Sequence, residues 1–197
     1  MSDFWKANKI MFIEGTSGVF KSTIGKELET MFGKKYKFHK TDYGSLKSLS
    51  DKIFNDKEGL LAIPIVFMNQ IIQATTEKEV IHIFDRSHVS PYMYQFIHER
   101  FDKVPAEEEL KKMNILFPST AITCINTNIQ EVENRIMKRN GFDVNFIKEN
   151  KNYVFIQNEI FKQFANMSQT PLLDLANLSY SDCFYSIIEE IQKLFVE

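Results

Sequence analysis

The chain has 197 residues, 44% of them hydrophobic, with 24 Lys and Arg against 26 Asp and Glu for a formal net charge of −2. That is enough apolar material for one sizeable core, so a single domain over 1–197 is expected, and the near-neutral balance gives no electrostatic reason to propose a nucleic-acid partner. Cys124 and Cys183 stand far apart without metal-ligand spacing and read as reduced core thiols. The N-terminal stretch lacks an apolar signal core, and the longest apolar run, Leu60 to Met68, is too short to cross a bilayer. The expectation is a soluble protein of cytoplasmic type with no membrane partner.

The first predicted element, Lys9 to Glu14, is a buried strand, and a helix follows that runs to about Phe32. Between them Gly15, four intervening residues, position 20, Lys21 and Ser22 follow the spacing of G-x-x-x-x-G-K-[ST], a loop whose backbone N–H groups wrap phosphates. Gly15, Thr16, Ser17, Gly18, Val19, Phe20, Lys21, Ser22 and Thr23 therefore form the predicted nucleotide loop. Lys21 would reach the β- and γ-phosphates and Ser22 would meet Mg²⁺. One position departs from the pattern, because residue 20 is Phe where Gly is expected. Phe keeps its N–H, so no phosphate donor is lost, but a left-handed backbone there would cost about 1–2 kcal/mol.

Further along, Tyr36 to Lys40 reads as a second strand, Thr41 to Ser45 as a polar turn and Leu46 to Asn55 as a helix. Leu60 to Thr76 reads as a largely buried helix despite Pro64, and Val80 to Phe84 as a third strand ending at Asp85-Arg86-Ser87. Helical spacing from Val89 through Phe101 predicts the next helix, and Asp102 to Met113 a short exposed one. Ser119 to Ile125 is a fourth strand. Asn128 with Glu131 makes a capping box for a helix to Asn140, and Asn145 to Ala165 gives one or two helices. Pro171 to Leu175 is the last strand, and Ser181 caps a final helix with a single apolar stripe. This alternation predicts a parallel sheet covered by helices on both faces, with ligands at the carboxyl ends of the strands. An Asp-Arg pair at such an end can offer a carboxylate to Mg²⁺ and a guanidinium to a phosphoryl group.

Three stretches resemble a family. IEGTSGVFKST resembles the IEG-x-x-G-x-GKST of thymidylate kinases and deoxynucleoside kinases. DRSHVSPYMYQ resembles the DR-x-x-x-S-x-x-x-Y-Q of the former and is similar to the ERS-x-x-S of the latter. INTNIQEVENRIMKRNGFD resembles their strand, helix and arginine-bearing lid. The resemblance implies a P-loop kinase three-layer sandwich with a five-stranded parallel sheet, a lid around residues 135–145, ATP and Mg²⁺ as cofactors, and commonly a homodimer. It implies phosphoryl transfer to a deoxynucleoside monophosphate, dTMP to dTDP. A deoxynucleoside kinase acting on a 5′-hydroxyl is the second possibility, and a weakened nucleotide-binding or interaction protein on the same fold the third.

On this resemblance Lys21, Asp85, Arg86, Arg135 and Arg139 are the catalytic group, with Lys138 beside the lid pair. Ser22 and Asp85 hold the metal, and Arg86, Ser90, Tyr94 and Gln95 lie along the acceptor site. Asp42 is either a turn residue or the carboxylate that nucleoside kinases place near there. Phe67 and Gln70 would stack on and hydrogen-bond the acceptor base, or serve as core. The arginines that thymidylate kinases carry after the second strand and in the buried helix are missing here.

Overall fold

The computed structural model describes residues 2–40, 62–99, 107–111, 117–139 and 143–195. In chain order the elements are α1 (Ser2–Ala7), β1 (Ile10–Gly15), α2 (Lys21–Phe32), β2 (Tyr36–Lys40), α3 (Ala62–Ala74), β3 (Ile81–Asp85), α4 (Ser90–Glu99), α5 (Glu107–Lys111), β4 (Ala121–Ile125), α6 (Ile129–Arg139), α7 (Asp143–Glu149), α8 (Tyr153–Ser168), β5 (Leu172–Asp174) and α9 (Tyr180–Phe195). The five strands form one sheet in the order β2-β3-β1-β4-β5, and every pairing is parallel. Every residue of β1, β3 and β4 is buried, whereas the edge strands β2 and β5 are only partly so. Strands covered on both faces have no solvated side to alternate toward, hence their nearly continuous apolar runs.

Register separates the two faces. Phe12, Phe84 and His39 fall opposite one another on adjacent strands and share a face, where Trp5 of α1 packs edge-on against Phe12 at 5.1 Å. Phe38, one residue earlier on β2, turns to the other face and its ring lies against Gly25 of α2. Helices therefore cover the sheet on both sides, as the alternating sequence predicts. No helix among the described residues is long and apolar enough to cross a membrane.

Several expectations are corrected. α3 is half-buried: Phe67, Ile71 and Ala74 face inward, while Met68 and Ile72 are 44% and 60% exposed. Pro64 is tolerated because it falls in the first turn, where its missing N–H has no intrahelical partner to lose. The cap of α9 is Ser179: its hydroxyl accepts from the Asp182 N–H at 3.2 Å, and Asp182 answers by accepting from the Ser179 N–H at 3.3 Å. Of the one or two helices expected over Asn145 to Ala165 there are two, α7 and α8, while α1 was not expected. The turn and helix expected over residues 41–55, Asp42 included, lie outside the described residues.

A histidine pair joins β2 to β3. His82 is fully buried and its Nε2 donates to the Glu77 carbonyl at 2.8 Å, which leaves Nδ1 to accept from His39 Nε2 at 2.9 Å. His39 also stacks on Phe84 at 4.4 Å. Burial first, then the facing His82 and Lys37, with Glu77 opposing, lowers the His39 pKa to about 4. A depressed histidine means that the unfolded chain binds the extra proton between the two pKa values. Stability is therefore full above pH 6.5 and falls as pH drops toward 4. Urea unfolding across that range should show this slope in the native protein and a shallower one in His39→Phe, which keeps the stack and removes the titration.

Candidate active site

Strand pairing assembles the site. β1 and β3 are neighbours with Ile13 opposite Asp85, so the loop after Gly15 and the Asp85-Arg86 turn leave the same edge of the sheet side by side. Gly15 must be glycine: its φ is 124°, and a Cβ would lie 1.7 Å from the Cys124 carbonyl oxygen of β4. Gly18 sits at φ 81°, also in left-handed territory. The loop is tied down from β4 and α8. Thr16 N–H donates to Cys124 O at 3.0 Å, Thr16 Oγ1 to Asn158 Oδ1 at 2.5 Å, and Ser17 N–H to Gln157 Oε1 at 3.0 Å.

Phe20 occupies the N-cap of α2 at φ 63°, the left-handed region where its Cβ is strained by about 1–2 kcal/mol. Its ring has two compensating contacts. The Arg135 guanidinium lies 4.1 Å from the ring centroid, and Tyr180 packs edge-on at 5.2 Å. A cation–π contact is worth about 0.5–2 kcal/mol and an aromatic pair about 0.5–1.5, so the two offset the strain. The ring offers no side-chain cap, which leaves the N–H groups of the first turn of α2 available to an anion.

Lys21 is 5% exposed and its ammonium donates to Thr16 O. Burial first, then repulsion from Arg86, lowers its pKa to about 7 against the pull of Asp85 and Glu14. Ser22 donates its hydroxyl to Asp85 Oδ2. Two oxygen donors held together beside cationic side chains are the hard donor set that suits Mg²⁺, so the residues fit that metal. Arg86 lies at φ 75°, a strained position in a non-glycine residue at the site edge. Its guanidinium donates to Gly15 O at 3.1 Å and to Tyr94 Oη at 2.6 Å.

Beneath this turn, the fully buried Glu14 carboxylate takes the Ser87 N–H at 2.7 Å, the Ser87 hydroxyl at 2.5 Å and the Ser90 hydroxyl. Ser90 is 1% exposed and holds Glu14; it does not face the cavity. Ser17 to Thr23, Asp85, Arg86 and Arg139 line a polar cavity of about 150 Å³. A larger groove of about 460 Å³ between α2 and α9 is mostly apolar, and none of these residues lines it.

The two arginines expected in a lid part company on α6. Arg139 reaches the cavity, while Arg135 pairs with Glu131, donates to Gly18 O at 3.4 Å and covers Phe20. Lys138 is exposed on α6. Phe67 is fully buried in α3, and neither it nor the half-buried Gln70 borders the cavity. Gln95 lies on α4. Glu14, Gln157 and Asn158 were not among the expected site residues, and Ser87, expected only as part of the Asp85-Arg86-Ser87 turn, binds Glu14. Gln157 and Asn158 carried a signal, as adjacent polar residues among the apolar positions Val154, Ile156, Ile160 and Phe161.

No protein-family model matches the sequence, and no curated protein matches it. Solved structures do resemble it. Deoxyadenosine kinase from M. mycoides with bound dATP superposes with a TM-score of 0.64 at 19% identity over 93% of this chain and 98% of that one. The chain has the P-loop kinase fold. The same M. mycoides enzyme with dCMP and dCDP gives 0.66 at 18% identity, over 93% and 99%. Shikimate kinase from Acinetobacter baumannii with shikimate gives 0.52 at 13% identity over the whole of both chains. At these identities the likeness establishes the fold.

Two measurements test the loop. Phe20→Ala keeps the strained Cβ and removes both ring contacts, so urea unfolding should show a loss of about 1–2 kcal/mol, whereas Phe20→Gly also relieves the strain and should lose less. Equal losses would show that backbone strain is not at issue. Lys21 is the second case. Phosphates bound here would raise its pKa from about 7, so above that pH ATP binding would take up a proton and affinity would fall, by up to about tenfold per pH unit. Calorimetry in buffers of different ionisation enthalpy should register that uptake.

Proposed function

We propose that the protein is an ATP-dependent kinase whose favoured acceptor is the 5′-hydroxyl of a deoxynucleoside. The observation that carries this reading is the meeting, around one small polar cavity, of buried Lys21, the Ser22–Asp85 pair and Arg86. In this reading the donor's phosphates lie along the N–H groups that open α2, Lys21 neutralises their charge, and Arg86 and Arg139 stabilise the transferred phosphoryl group. Ser22 and Asp85 would hold Mg²⁺, which when bound would supply positive charge to neutralise the phosphates. Rigid positioning supplies much of the remaining acceleration.

Cation supply among the described arginines favours a neutral acceptor. The sequence has four arginines, Arg86, Arg100, Arg135 and Arg139. Arg135 is spent on Glu131 and Phe20, Arg139 borders the donor cavity, and Arg86 alone of the described arginines reaches toward Tyr94. A monophosphate acceptor brings two further negative charges that need cations of their own. Similarity to deoxyadenosine kinase structures supports the same order. A thymidylate-kinase-like transfer to a monophosphate is the second reading, favoured by the Asp85 to Gln95 motif. Asp42, two residues beyond β2 in the chain, is the candidate proton acceptor for a nucleoside substrate.

Incubation of the purified protein with ATP, Mg²⁺ and a panel of deoxynucleosides and their monophosphates, read by mass, should give deoxynucleoside monophosphates. Product from monophosphates alone would reverse the order of the two readings. ATP binding with no product from any acceptor would leave a nucleotide-binding protein.

A further inference from the structure

From the buried contacts of α8 we infer that Gln157 is a positioning residue, which fixes Arg86 and the phosphate loop against each other through the Tyr94 hydroxyl; this rests on the kinase reading above. Gln157 is fully buried, and its Oε1 accepts from two sides, from Ser17 N–H at 3.0 Å and from Tyr94 Oη–H at 3.1 Å. With that proton given to Gln157, the Tyr94 oxygen accepts from Arg86 Nη2 at 2.6 Å and from Ser17 Oγ–H at 3.1 Å. One carboxamide oxygen thus terminates a directed chain that begins at the acceptor-side guanidinium and closes on the loop that would hold the donor.

Two features set this apart from ordinary packing. The Gln157 Nε2 has no partner among the described residues, an orphan that a Leu of similar size would not have, so the side chain serves through its oxygen. The chain also starts from a strained residue: Arg86 at φ 75° needs external restraint to hold one orientation. Arg86 lies 4.6 Å over the Tyr94 ring as well, so a displaced Tyr94 would carry the guanidinium with it. Asn158, the next residue, makes the matching contact to Thr16 and so holds the loop independently of Tyr94. Loss of Gln157 should therefore misplace Arg86 more than it loosens the loop.

The test compares Gln157→Leu, Gln157→Glu and Tyr94→Phe in steady-state kinetics, together with arginine side-chain ¹H–¹⁵N spectra. Gln157→Leu should lower kcat by about ten- to a hundredfold while KM for ATP stays within about threefold, because a group set for the transition state has moved. Gln157→Glu keeps an oxygen facing both donors and should recover most of the loss. Tyr94→Phe should match Gln157→Leu, and the double variant should be little worse than either single, as expected for one shared path. With four arginines in the chain the spectra are simple to assign. The Arg86 signal should shift in Gln157→Leu and Tyr94→Phe while the Arg135 signal stays in place.

A Gln157→Leu protein with native kcat and a native Arg86 signal overturns the inference. So do multiplicative losses in the double variant, or a loss in Gln157→Leu that Gln157→Glu does not recover while both melt equally lower. If Gln157→Leu fails to fold, Tyr94→Phe and Gln157→Glu decide by the same criteria. If the native protein transfers phosphate to no acceptor, the kinase reading falls and the Arg86 signal alone decides whether Gln157 positions it.

Discussion

The pairing of β1 with β3 is the constraint on which the candidate site depends. Two short segments more than seventy residues apart in the chain end at the same edge because Ile13 falls opposite Asp85. Hydrogen bonds then fix their loops in two layers. Ser22 joins Asp85 at the top, and below it the buried Glu14 carboxylate collects the Ser87 N–H and the Ser87 and Ser90 hydroxyls. A carboxylate at zero exposure is costly unless its lone pairs are largely satisfied, and three donors take three of the four here. Those bonds fix the turn that carries Arg86.

The departure at position 20 has a physical account in the same terms. A left-handed backbone at the start of α2 is what a glycine would supply without strain, and Phe20 adopts it at φ 63°. The ring then lies against Arg135 and Tyr180, and the strained residue becomes a contact between the loop, α6 and α9. One consequence is a division of labour between two arginines spaced one helical turn apart. Arg135 braces the loop from outside, and Arg139 borders the cavity. A shared helix face does not give two side chains the same job when one of them meets a ring and a carboxylate.

α8 plays the other bracing part. Its Gln157 and Asn158 take Ser17 and Thr16, and Asn158 passes on to the Asn126 carbonyl at the end of β4 at 2.8 Å. The loop is therefore gripped from β4, α6 and α8 while the N–H groups opening α2 carry no side-chain cap. Preorganisation of this kind lets fixed dipoles meet a charged ligand without reorganising on arrival.

The sequence by itself determined the alternation of strands and helices, the five parallel strands, and the loop with Lys21, Ser22, Asp85 and Arg86 at strand ends. Those are carried by local periodicity and by residues in fixed spacing, which depend little on distant partners. For most of the described elements it placed the boundaries within a few residues, and the α9 cap two residues late, because cap geometry depends on which neighbour's N–H is left over. Tertiary structure alone decided that Ser90 serves Glu14, that Arg135 serves Phe20 and that α3 leaves Met68 and Ile72 exposed. It also decided where the Phe20 ring goes and that Gln157 meets Tyr94. These are contacts between residues many positions apart, and a single sequence records the residue types without recording which of them the register brings together.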